Sequence, residues 1–462
     1  MTSPLYRQPL LWLVALGFFM QTLDATILNT ALPSIAASLG ESPLRMESVV
    51  IAYLLTVALL MPASGWLADR FGTRRIYLAA ILLFALGSLA CAESRTLWQL
   101  VLARVLQGIG GAFLMPVGRL AVLRSFPGPQ LLGAMSFVVM PGLIGPMLGP
   151  VLGGWLVEYA SWHWIFLLNL PIGLLGAWAV RRYMPDFREP GQPGFDWVGF
   201  LLLGGGMVML SLSLQGFGEL GMGGAAAGLL MLGGLAGMVS YWLHAARTPH
   251  PLFALSLFQT RSFAVGLLGN LFARLGSGAM PFLLPLMLQL ALGYSPLAAG
   301  LAMMPVALAA MASKTIVEQL LNRFGYQRLL TVNTVLVGLM IASFALLGQG
   351  TPTWWLAIQL ALFGAVNSIQ FTAMNTLTLK DLEGRGASGG NGLLSMTMQL
   401  SISLGVASAA AMLSAFQQHF GAGQTLAVFR ATFVCVGLLG ALAALIFAQL
   451  DEAARPPEKA AP

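Results

Sequence analysis

The sequence predicts an all-α membrane protein of fourteen transmembrane helices, two bundles of six with two further helices between them. Three observations predict it: the composition, the length of the apolar runs, and a pair of short motifs repeated at one offset. Hydrophobic residues make up 58% of the 462 residues and charged residues 8%, against about 25% charged in an ordinary soluble domain. Most of the chain must therefore face hydrocarbon or other apolar helices. Runs of about 20 apolar residues match the ~30 Å hydrocarbon core. Lipid offers the backbone no hydrogen-bond partner outside its own helix, and the ten-residue alternation of a membrane β-barrel is absent from these runs.

The runs follow in order. The first, 10–32, contains FFMQTLDATILNTALP (18–33), with the carboxylate of Asp24 inside an apolar stretch and Asn29 five residues on. Only Arg7 flanks it and no small-residue cleavage site follows, so it reads as a retained span and no signal peptide is expected. The second run, 48–68, leads into ADRFGTRR (68–75); the third and fourth, 76–93 and 97–118, are separated by a short turn, and the fourth holds Arg104. The fifth, 132–157, is rich in Gly and Pro, and the sixth is 162–181. RRYMPDFREPGQPGFDW (181–197) is the most polar and Pro/Gly-rich stretch and marks the exit from the first half. The seventh and eighth runs, 196–216 and 223–244, precede TPHPLF (248–253), the entry to the second half. Runs at 263–290, 297–320, 328–348, 353–378, 389–416 and 427–450 complete the set.

The repeat sets the grouping. LNRFGYQR (321–328) repeats the Arg-Phe-Gly of ADRFGTRR at an offset of 253 residues, and LLP (283–285) repeats ALP (31–33) at 252. Two matches at nearly one offset argue for two halves, with the seventh and eighth runs inserted. The expected organisation is an N-terminal bundle over 1–185, a linker with two helices over 186–255, a C-terminal bundle over 256–452 and a short tail over 453–462. Of the 23 Lys and Arg residues, eighteen fall on the side of the termini and three, Arg45, Arg95 and Arg430, on the other. Arg104 and Arg274 lie inside spans. This asymmetry predicts cytoplasmic termini. The net charge of +7 then describes loop topology and contact with anionic lipid, and gives no support to nucleic-acid binding.

Several of these segments resemble the major facilitator superfamily. GWLADRFGTRR (65–75) is similar to its loop between the second and third helices. RVLQGIGGA (104–112) and GLIGPMLGPVLGG (142–154) are similar to the fourth- and fifth-helix motifs of its proton antiporters. LDATILNTALP (23–33) and WHWIFLLNLPIG (162–173) resemble the 14-helix drug:proton antiporter branch, and FARLGSGAMPFLLPLMLQ (272–289), NRFGYQR and FTAMNTLTLKDL (371–382) resemble bacterial multidrug exporters of that branch. The resemblance implies the major facilitator fold, alternating access, multidrug efflux driven by the proton gradient without a cofactor, and a multi-pass protein of the bacterial cytoplasmic membrane. Its expected partners are a small-molecule substrate, protons and membrane lipid, with no nucleic acid, and a monomer is expected.

The residues carry the same reading physically. A carboxyl in low dielectric disfavours its charged form unless a cation stands nearby, so Asp24 is a proton carrier in principle, with Asn29 offering a hydrogen bond along the path and Arg104 or Arg274 the buried cations to tune it. The alternative is a structural carboxylate permanently paired. Arg104, with Gln107, Gly108 and Gly111 on its helical face, needs a partner at that depth and should point into the protein. The resemblance adds a role in proton coupling for Arg104. Asp69, Arg70, Arg74 and Arg75 form a short charged turn able to hold one conformation shut, or simply a positive-inside loop. In the second half Asn322 replaces Asp69, and Lys314 and Glu318 offer a substitute pair at i, i+4 spacing. Gly145, Pro146, Gly149 and Pro150 give the fifth run a smooth, bendable face, as a hinge or as packing. Gln107, Arg274, Gln289, Gln370, Phe371, Met374 and Asn375 are sparse polar, aromatic and thioether points for a substrate cavity with Asn29, although aromatic and Met residues at helical spacing are more often core than ligand contacts.

Other functions find no support. No G-x-x-x-x-G-K-[ST] loop occurs. His163, His244, His250 and His419 do not cluster, and Cys91 and Cys435 lack metal-ligand spacing, so neither a metal site nor an enzyme is expected. The loops are too short for a receptor's output domain. The competing transport reading is export of one metabolite, such as an organic acid or amino-acid derivative.

Overall fold

The computed structural model describes residues 8–126, 128–189, 194–217, 224–382, 384–421 and 423–450; the expected tail, 453–462, lies outside them. Every long element is a helix: α1 (Pro9–Ile27), α2 (Glu47–Leu60), α3 (Thr73–Ala92), α4 (Leu97–Ser125), α5 (Gly128–Tyr159), α6 (Asn169–Tyr183), α7 (Trp197–Phe217), α8 (Gly224–Ala245), α9 (Arg261–Leu290), α10 (Met304–Ser343), α11 (Thr353–Leu379), α12 (Gly384–Phe420) and α13 (Thr425–Leu442). Local chemistry sets several ends. Pro9 opens α1, where its missing N–H costs nothing. The Thr96 hydroxyl accepts from Gln99 N at 3.3 Å and caps α4.

Among the described residues, thirteen helical segments are long and apolar enough to cross a membrane, and one of them, Pro296–Leu346, runs for 51 residues. At 1.5 Å per residue that is about 75 Å, more than twice the hydrocarbon core. It is broken at Gly325 (φ 73°, ψ 170°), so it holds the tenth and eleventh runs and the count returns to fourteen. Gly72, the matching glycine of the Arg-Phe-Gly repeat, also has a positive φ of 101°. The repeated motif is thus a repeated backbone device, a sharp turn that only glycine adopts without strain.

The chain packs as two compact units, Met1–Trp197 with Tyr294–Leu301, and Val198–Gly293 with Ala302–Pro462. In the first, α1 lies along α5, and α4 is flanked by α2 and α3, with α6 against α3. Within this unit Tyr294–Leu301 sits on the end of α5: Leu297 N donates to Glu158 Oε2 at 3.1 Å, and a Cβ on Gly300 would fall on the Pro150 carbonyl. In the second unit α9 packs on α11, α12 and α13, and α10 on α11 and α13. Its apolar core includes Val317, Leu321, Leu330, Ala373, Met374 and Phe447.

The α1–α5 contact is built from two matched stripes. Thr22, Thr26 and Thr30 recur every four residues on α1 and its extension, facing Gly145, Gly149 and Gly153 of α5. A Cβ added to any of these glycines would strike a threonine hydroxyl or the α1 backbone. Thr26 Oγ1 reaches Gly145 O at 3.4 Å and Thr30 Oγ1 donates to Pro150 O at 3.2 Å. Small residues let the two backbones approach, as in membrane helix pairs generally.

Candidate functional site

A buried polar network lies inside the first unit, centred on Asp24. Both partners of its ion pair are almost fully enclosed, Asp24 at 2% and Arg104 at 1% exposure. Arg104 Nη1 donates to Asp24 Oδ2 at 2.6 Å and to Gln107 Oε1 at 2.6 Å. Gln107 Nε2 donates to Asp24 Oδ1 at 2.8 Å and to Ser88 Oγ at 2.8 Å. Asn169 Nδ2 reaches the same Asp24 oxygen at 3.1 Å and Ser88 Oγ at 3.2 Å. Arg104 Nε approaches Val49 O at 3.4 Å, and its guanidinium lies 4.2 Å from the Tyr53 ring centroid. The carboxylate is therefore held from α4 and α6, with Ser88 of α3 steadying both amides, and Arg104 is held from α1 and α2. Fixed donors replace the water that a buried charge has lost.

The structure brings Asp24, Arg104 and Gln107 together and leaves Asn29 aside. Among the described residues the Asn29 side chain reaches Ala25 O alone, at 3.5 Å within its own helix end. Arg104, not Arg274, is the cation at Asp24. Three participants were not read from the sequence: Ser88, Asn169 and Tyr53. Asn169 stands in WHWIFLLNLPIG, and an amide inside an apolar run was the signal available. Glu47, a further buried carboxylate at 2% exposure, lies in the first turn of α2, where the helix dipole favours an acid. It is two residues from Val49, whose carbonyl faces Arg104.

At the Gly72 turn, Asp69 Oδ1 pairs with Arg124 of α4 at 2.7 Å, and the same guanidinium meets Glu189 Oε2 at 3.1 Å. Segment 184–189 runs along the turn: Thr73 N donates to Phe187 O at 3.1 Å, Thr73 Oγ1 donates to Pro185 O at 2.9 Å and accepts from Phe187 N at 3.0 Å, and Glu189 N donates to Asp69 O at 3.1 Å. Thr73 is buried and carries three of these bonds. Arg74 Nε donates to Met184 O at 2.5 Å, Arg70 stacks near Trp66 and Phe71, and Arg75 is exposed. The corresponding turn at Gly325 has open space around it, and the exposed Lys314 and Glu318 make no ion pair with each other.

In the second unit the expected cavity residues separate. Gln370 donates to Thr334 Oγ1 at 2.6 Å and accepts from Asn333 Nδ2 at 2.8 Å, tying α11 to α10. Met374 belongs to the apolar core. Arg274 instead meets Asn270 Oδ1 through Nε at 3.1 Å and lies 4.3 Å from the Phe371 ring centroid. Asn375 Oδ1 is buried without a hydrogen-bond partner, and Gln289 is partly buried at the end of α9. No group of three or more His, Cys, Asp or Glu able to hold a metal occurs among the described residues.

Comparison with known proteins places this architecture. Residues 14–406 match the family model described as Major Facilitator Superfamily. The chain is 54% identical over 450 residues to a Pectobacterium atrosepticum protein named "Putative multidrug resistance protein MdtD", covering 97% of this chain and 96% of that one. A protein of the same name from Cronobacter sakazakii is 52% identical over 445 residues, covering 96% and 94%. Among solved structures, a point mutant of the nucleoside transporter NupG superposes with a TM-score of 0.68 at 13% identity, covering 95% of this chain and 99% of that one. A POT family transporter in complex with a thioalcohol-conjugated peptide gives 0.70 at 14%, covering 95% and 94%. At those identities the structural likeness speaks for the fold alone.

Proposed function

The chain belongs to the major facilitator superfamily and is a multi-pass membrane transporter rather than an enzyme, and from that premise we propose that it exports small amphipathic compounds in exchange for protons by alternating access. The observation that carries this reading is the Asp24 carboxylate, held wholly by side chains inside apolar helices. A proton arriving at Oδ2 removes the negative charge that Arg104 meets, leaving a buried cation with only neutral acceptors. Such a cation is strongly unfavourable, so proton uptake and a shift of α1 relative to α4 become one event. Loss of the proton restores the pair. Competition between proton and substrate for one state of the carrier enforces exchange, with the proton gradient as the energy source and no cofactor.

In this reading Asp69, Arg70, Arg74 and Arg75 serve as the conformational gate, Gly145, Pro146, Gly149 and Pro150 as the hinge, and bundles over 1–185 and 256–452, joined by 186–255, as the organisation of a monomeric carrier. Export of a single metabolite is the second reading, favoured by the buried cation Arg274. The test is proton release from acid-loaded inside-out proteoliposomes on adding a panel of dyes, biocides and organic acids. Compound-driven release that disappears in Asp24→Asn is expected. Equal release in that variant would show Asp24 to be structural.

A further inference from the structure

Arg274 sits midway along the 30-residue α9 and is 7% exposed. A guanidinium carries five N–H donors in a rigid fork. Here Nε is taken by Asn270 Oδ1, whereas Nη2 is buried and meets no acceptor among the described residues. Asn270 is itself oriented: its Nδ2 donates to Gly266 O at 3.0 Å and to Thr378 Oγ1 at 3.3 Å, and the Thr378 hydroxyl donates to Met374 O at 2.7 Å. The amide oxygen is thereby turned toward Arg274, and α9 and α11 together fix how the guanidinium lies. Phe371 stacks over it and is itself 38% exposed.

Among the described residues, no carboxylate forms an ion pair with this cation. The acids of the second unit's described residues are Glu318 and Asp381. Both are exposed, and Asp381 lies 3.8 Å from Lys380. The contrast with the first unit is direct: Arg104 is likewise buried but is matched by Asp24. An unmatched guanidinium within a membrane span is costly and marks a functional position. Its free edge suits a planar, bidentate oxyanion.

We propose that Arg274 is an oxyanion subsite that takes the carboxylate of the transported compound, with Phe371 against its organic body. The substrates are then zwitterionic or anionic amphiphiles instead of purely cationic ones. This rests on the export reading above and names its substrate class.

The test uses two dyes differing by one carboxylate, tetramethylrhodamine as the zwitterion and its methyl ester as the cation, bound to the full-length protein in micelles and read by fluorescence polarisation. The zwitterion is expected to bind tenfold or more tightly than the ester. Arg274→Gln should remove that preference by weakening the zwitterion tenfold or more, with an unchanged gel-filtration profile and tryptophan spectrum reporting an intact fold, and Arg274→Lys should restore part of it. On the native protein alone, benzoate should displace the zwitterion and the near-isosteric benzamide should not. Equal binding of the two dyes, no binding of the zwitterion, equal displacement by benzamide, or a preference that survives Arg274→Gln would each overturn the proposal. Proton release driven by the ester and lost in Asp24→Asn would stand whatever the dye preference, so failure here and failure of proton coupling are separable.

Discussion

The Asp24–Arg104 pair makes a quantitative prediction through a double-mutant cycle. Asp24→Asn leaves Arg104 as a buried cation that keeps the Gln107 and Val49 oxygens; Arg104→Gln leaves Asp24 as a buried anion that keeps the Gln107 and Asn169 amides. Breaking a buried pair by removing one partner costs about 3–5 kcal/mol. The surviving hydrogen bonds place each single variant near the lower end, about 3 kcal/mol. The double variant removes both charges and leaves a neutral amide cluster of similar volume, so its cost should also be about 3 kcal/mol rather than the sum of the two. The coupling energy is then about 3 kcal/mol, at the upper end for residues in contact. Reversible unfolding in mixed micelles titrated with SDS, followed by tryptophan fluorescence, measures all four corners. Additivity within about 0.5 kcal/mol would refute the reasoning, because it would mean that the two charges do not depend on each other for their burial.

Two further predictions concern glycines. In α5, Gly149→Ala puts a methyl group onto Thr26, whereas Gly142→Ala meets nothing closer than Phe18 Cδ1 at 3.7 Å; the first should cost about 1–3 kcal/mol by overpacking and the second almost nothing, and the same unfolding assay would contradict this if the order reversed. At the repeated turns, Gly325→Ala carries only backbone strain of about 1–3 kcal/mol, while Gly72→Ala adds a clash with the Asp186 carboxylate. Gly72→Ala should therefore be the more destabilising and should speed amide exchange at Phe187 and Glu189; unchanged exchange there would count against a clasped turn.

The helices were readable because hydrocarbon imposes a length and a composition that few other environments share, and the Arg-Phe-Gly repeat was legible because a positive φ demands glycine at Gly72 and Gly325. Asp24 and Arg104 stood out for a similar reason, as charges where charges are expensive. Their neutral partners did not. Ser88 and Asn169 come from helices 64 and 145 residues away from Asp24 in sequence, and a lone hydroxyl or amide in a span gives no sign of which neighbour it meets. Gln370 shows the reverse problem: as a polar point in an apolar run it was expected in a substrate cavity with Phe371 and Met374, yet its amide turns to Asn333 and Thr334 on α10. Asn270 meets Arg274 at the helical i, i+4 spacing, a pairing that the sequence carries in the spacing alone.

The threonine and glycine stripes make α1 and α5 a single mechanical part. With hydroxyls seated on the opposing backbone at Gly145 and Pro150, neither helix turns about its axis without lifting the α1 threonines out of their seats. Asp24 lies between Thr22 and Thr26 on that shared beam, and Pro146 and Pro150 lie along its partner helix. If α5 is the hinge proposed above, its bend would carry the carboxylate away from the donors anchored on α4 and α6. In the proposed exchange the proton site and the flexing helix would form one lever, so the order in which proton and bend arrive would make no difference to the state that results.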